Sequence, residues 1–106
     1  MNNRPIQRKS VPVTNFFHLK EQWQQETAFL SSVTEIVMHP AYQQIIGMGA
    51  LVIPYILQEM TKQPDHWFWA LKILTGEDPV PPEQRGNVVE MTKTWLNWGK
   101  ERGYIF

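Results

Sequence analysis

The densest pattern of apolar positions lies between Pro64 and Pro82, where Trp67, Phe68, Ala70, Leu71, Ile73 and Leu74 recur at helical spacing and Lys72 is the clear polar interruption. A stripe that wide predicts a helix covered by protein over most of its circumference, the central helix of the fold. Pro64 and Asp65 supply its start, Asp65 as an N-cap whose carboxylate accepts a first-turn amide. Gly76 ends it, because the left-handed residue after a last turn is cheapest as glycine, and the proline-rich stretch from Glu77 to Pro82 cannot continue it.

The same reading places the other elements. Residues 1–13 contain Pro5 and Pro12 and show no helical period, so they read as an extended basic arm. A first amphipathic helix starts near Thr14 or Asn15 and runs to about Leu30, with Phe16, Leu19, Trp23, Thr27 and Leu30 on one stripe. Ser32 with Glu35 forms a capping box ahead of a short segment through Ile36, Val37 and Met38. Pro40 suits a first helical position, and a helix follows through Tyr42, Ile45 and Ile46 until Gly47 and Gly49 close it. Val52, Ile53, Ile56, Leu57 and Met60 make the next stripe. Pro54 is tolerated there only in a first turn, which fixes that helix from near Ile53 to near Lys62. Asn87 with Glu90 resembles a second capping box and starts a last helix carrying Val88, Met91, Trp95, Leu96 and Trp98. Gly99 and Gly103 finish it, leaving Tyr104, Ile105 and Phe106 as an apolar tail that docks on the body.

A shift of 27 residues aligns Tyr42 with Trp69, Ile46 with Ile73, Gly49 with Gly76 and Pro54 with Pro81, and a second shift takes Gly76 to Gly103. A period of this kind suggests stacked helical hairpins. The succession His39-Pro40-Ala41-Tyr42, Ile45-Ile46-Gly47-Met48-Gly49 and Val52-Ile53-Pro54-Tyr55-Ile56-Leu57 resembles a HEAT-like hairpin over residues 39–76. Together with His66-Trp67-Phe68-Trp69-Ala70-Leu71, Thr75-Gly76-Glu77-Asp78-Pro79-Val80-Pro81 and Trp95-Leu96-x-Trp98-Gly99, it is similar to an uncharacterised family of small bacterial HEAT-like helical proteins. That resemblance implies a compact helical domain, a partner encoded nearby, and no catalytic residues.

Composition narrows the classes. The chain of 106 residues has no cysteine, which excludes a thiol nucleophile, thiolate metal sites and a disulfide framework and fits a cytoplasmic location. It has no apolar run of membrane-spanning length and no apolar block near its start, so neither a membrane partner nor a secretory signal is expected. Ten bases balance ten acids, but Arg4, Arg8, Lys9 and Lys20 fall in the first twenty residues, which lack any acid. Nucleic-acid contact through this arm is one alternative, weakened by the low charge density and the absence of interleaved aromatics.

The three histidines, His18, His39 and His66, lack the four-residue spacing that puts two metal ligands on one helix face, and no phosphate loop, dinucleotide fingerprint or nucleophile elbow occurs. A second alternative is a metal-dependent hydrolase assembled from His39, His66, Glu77 and Asp78. The plainer reading is that His39 caps the Pro40 helix, His66 bonds locally, and Glu77 and Asp78 form salt bridges, with Arg85 as a partner. Five tryptophans remain. Trp23, Trp67, Trp95 and Trp98 read as core, yet Trp67, Phe68 and Trp69 in succession point in three directions, so Trp69 or Trp67 should surface as an anchor.

The expectation is therefore an all-α fold, a single domain over residues 14–106 of about four or five helices in HEAT-like hairpins. Its expected role is a non-enzymatic module that binds or neutralises a protein partner, a second copy of the chain included. Its contact surface would comprise His39, Tyr42, His66, Trp67, Trp69, Glu77, Asp78, Pro79 and Arg85, with no catalytic residue, metal or cofactor.

Overall fold

The computed structural model describes residues 5–104, with side chains from Pro12 onward. Over those residues the chain is all-α, six α-helices and two short 3-10 turns without a strand. The helices gather into two compact units that divide between Met48 and Gly49. No single helix among the described residues is long and apolar enough to cross a membrane.

The first unit contains α1 (Pro5–Glu26), α2 (Val33–Val37) and α3 (Pro40–Gly47). Residues 5–13, expected as an extended arm, are instead the opening turns of α1. The reason is positional: Pro5 occupies the first residue of the helix, where proline is favoured, and Pro12 removes one backbone bond without stopping the helix. Arg4 lies outside the described residues, as do the side chains of Arg8 and Lys9. The helix also stops earlier than its stripe suggested, at Glu26 rather than Leu30. Thr27 donates its hydroxyl to the Trp23 carbonyl at 2.7 Å, and Leu30 is left exposed in the loop.

Trp23 organises this unit. Its ring is buried 5.0 Å from that of Tyr42, and its indole N–H donates to the Ile36 carbonyl at 2.8 Å, tying α1 to α2 and α3. Ser32 caps α2 through the Glu35 amide, as the capping box requires. Pro40 stands in the first turn of α3 behind an N-cap residue, His39.

The second unit opens with a 3-10 turn (Gly49–Val52) and continues through α4 (Ile53–Lys62), α5 (Phe68–Thr75), a second 3-10 turn (Pro82–Gln84) and α6 (Val88–Glu101). Pro54 lies in the first turn of α4, whose bounds are those its proline and stripe imply. Ile53, Ile56, Leu57 and Met60 are buried on α4, which packs on α6. Trp95 and Trp98 of α6 meet edge to face at 5.3 Å. Asn87 caps α6 through the Glu90 amide at 3.1 Å.

The C-terminal end of α6 departs from expectation. Gly99 does not end the helix but is buried within it, and the stop comes at Gly103, whose φ of 81° is left-handed. Tyr104 N–H reaches the Gly99 carbonyl and Gly103 N–H the Lys100 carbonyl, the two bonds of a Schellman motif. Tyr104 completes it by stacking on Trp98 at 5.5 Å. Ile105 and Phe106 lie outside the described residues. Gly49, Gly76 and Gly103, the glycines 27 apart, all have positive φ, yet the paired side chains do not share an environment: Tyr42 is buried and Trp69 exposed.

The indole N–H of Trp95 is buried with no hydrogen-bond partner, whereas that of Trp23 is bonded. The same substitution should therefore act differently at the two sites. Trp23→Phe strips a donor from the Ile36 carbonyl, while Trp95→Phe removes a donor that has nothing to bond. Urea unfolding should show Trp23→Phe as the more destabilising by about 1–3 kcal/mol.

Candidate functional site

The expected site residues divide between the two units. His39 and Tyr42 belong to the first; His66, Trp67, Trp69, Glu77, Asp78, Pro79 and Arg85 belong to the second.

In the second unit the site is built on α5. Asp65 does not start this helix. Its carboxylate accepts the His66 amide at 2.8 Å, and Leu71 N–H bonds the carbonyl of Trp67, the residue at the N-cap. The helix therefore starts at Phe68. Trp67, Ala70 and Leu71 are fully enclosed, which sends the residues between them outward. Trp69 is 44% exposed and Ile73, one turn later, 51%. The expectation of a helix covered nearly all round is thus corrected: α5 has one buried face and one bare apolar ridge. Of the two candidate anchors, Trp69 is the one at the surface. Trp67 offers a partner no area, and the same correction applies to Tyr42, whose ring is spent on Trp23.

Lys72 lies between the two apolar side chains on this outer face. Its ammonium is 5.8 Å from the centre of the Trp69 ring and 3.7 Å from Asp78. A cation held against an indole face limits the ring's freedom, so less entropy is lost when a partner covers it.

The loop after α5 is held by its two carboxylates. Glu77 receives both Arg102 guanidinium nitrogens at 2.6 Å and the Trp98 indole N–H at 3.2 Å. Arg102 in turn lies 5.1 Å over the Trp98 ring. Asp78 accepts from Arg85 at 2.8 Å and from the Val80 amide at 3.2 Å, and Val80 is buried. Arg102 holds the Glu77 carboxyl below its ordinary value, helped by Trp98. Arg85 does the same for Asp78, followed by the Val80 amide, with burial opposing it. Two carboxylates that are both committed to arginines are not poised as an acid and base pair. Arg85 was legible as a partner from its proximity in sequence. Arg102, 25 residues beyond Glu77, was not, since no periodic pattern links a loop to the end of a later helix.

His39 likewise has no free nitrogen. Its Nδ1 accepts the Ala41 amide at 3.0 Å, and its Nε2 is 2.7 Å from Glu26. No three His, Asp or Glu side chains among the described residues gather into a group that could hold a metal ion. His66, Glu77 and Asp78, the expected ligands in the second unit, form no such group. Pro79 is half-buried and Arg85 exposed in the proline-rich loop.

Compared with protein-family models, curated proteins and solved structures, the chain finds no match.

Both carboxyls titrate below their ordinary values of 4.5 and 3.8, so the folded chain binds these protons more weakly than the unfolded one. Their stabilisation is complete above those values and is lost as pH falls through the depressed ones. The urea midpoint should decline as pH falls below about 5, and a Glu77→Gln, Asp78→Asn variant should decline less. Circular dichroism at each pH provides the measurement.

Proposed function

We propose that the chain is a non-enzymatic protein-binding module and that the outer face of α5 is where it grips its partner. The observation that carries this reading is the pair Trp69 and Ile73, four residues apart on a capped helix, both half-exposed beside a lysine that steadies the indole. Tryptophan is the side chain that most often dominates a binding interface, because it buries a large area for few rotatable bonds. The loop beside it is stiffened by Pro79, Pro81 and Pro82 and fixed through Asp78 and Glu77, so the surroundings of the anchor are set before binding.

The resemblance of residues 39–76 to a HEAT-like hairpin agrees with this role, since such hairpins serve as scaffolds for extended binding surfaces. A cytoplasmic setting is part of the same proposal and rests on the absence of cysteine. The carboxylates are assigned to architecture, with Glu77 and Asp78 holding the loop that flanks the anchor.

Removing a central tryptophan anchor typically costs about 2 kcal/mol or more, roughly thirtyfold in Kd. Proteins retained on the immobilised wild-type chain from the native cell should be lost with Trp69→Ala and Ile73→Asp. Sedimentation of the pure chain checks self-association through the same residues. The reading fails if both variants keep every associated protein and the same sedimentation behaviour.

A further inference from the structure

We propose that His39 is a proton-operated cap, releasing the first turn of α3 when its ring becomes charged. The geometry assigns the hydrogens. Nδ1 accepts the Ala41 amide at 3.0 Å and so must carry a lone pair, which leaves the hydrogen of the neutral ring on Nε2, donated to Glu26 at 2.7 Å. The imidazole thereby joins two helices of the first unit, the last residue of α1 and the start of α3.

Histidine is an unusual N-cap. Serine, asparagine and aspartate cap without changing charge near neutrality, whereas imidazole does change, within about pH 5 to 8. A proton added to Nδ1 would face the Ala41 N–H, donor against donor, and that bond cannot survive. The resulting cation also faces the N-terminal end of α3, whose free amides disfavour positive charge. Glu26 acts in the opposite sense, since the Nε2 bond becomes charge-assisted and shortens the ring's choice to one partner. Glu26 is the ionisable group that the ring meets in a hydrogen bond and ion pair. The charged imidazole therefore stays with α1 and lets go of α3.

Access suits the exchange: the His39 side chain is 14% exposed and Glu26 55%, so protons reach the pair while the ring is held in place. The released turn bears on the core, because Ala41 and Tyr42 follow directly and both are buried.

Amide hydrogen exchange with ring nitrogen NMR tests the proposal on the full chain. After correction for intrinsic rates, Ala41 protection should drop about fivefold, the equivalent of one lost cap, between about pH 8 and about pH 5. It should follow the ring titration. His39→Asn keeps a capping oxygen and cannot titrate, so its Ala41 protection should be flat. A flat wild-type profile, a His39→Asn variant that follows the wild-type course, or a neutral ring protonated on Nδ1 would each overturn it.

Discussion

A helix of five to eight residues does not hold together in water, because nucleating it costs more than its few internal bonds return. Three of the six helices here, α2, α3 and α5, are that short. Each survives by what happens at its ends and on its buried face. Ser32 satisfies an amide of α2, His39 one of α3, and the left-handed Gly76 closes α5. Tyr42, Ile45, Ala70 and Leu71 then bury enough apolar surface to fix the turns in place. The same dependence explains why the loops are pinned so firmly. A chain made of short helices cannot leave its connections loose without fraying the elements they connect.

That constraint also explains which features could be read from the sequence. Caps are local chemistry, so Ser32 with Glu35, Pro40, Pro54 and Asn87 with Glu90 announced their helices within a residue or two. The left-handed glycines Gly49, Gly76 and Gly103 were equally legible, because the sterics that select them involve only their own backbone. Less could be read where the outcome depends on distant packing. The choice among Trp67, Phe68 and Trp69 needs the position of the neighbouring elements, which periodicity alone does not contain. Residues 5–13 were misread because two prolines looked like two interruptions, when one starts the helix and the other lies within it. Asp65 misled in a different way, since its carboxylate accepts the next amide and the helix cap falls two residues later, at Trp67.

The polar groups that resembled chemistry have a common explanation. Glu77, Asp78 and His39 are each hydrogen-bonded to neighbours within their own unit. Catalytic groups generally keep one position open for a substrate or a proton. The exposed large apolar side chains include Trp69 and Ile73 on α5 and Phe29, Val33 and Met38 around α2. Surfaces of this composition, flanked by charges that are already paired, are the kind that bind by area and shape.

The uneven burial of the five indoles gives the protein an internal optical gauge. Trp23, Trp67, Trp95 and Trp98 retain 6% of their surface or less, while Trp69 keeps 44%. Water-borne quenchers such as iodide can collide with only that one ring, so the long-wavelength edge of the emission belongs to a single residue at the centre of the bare ridge. Anything that settles there will shield it and shift the light toward the blue, without a label or an engineered probe.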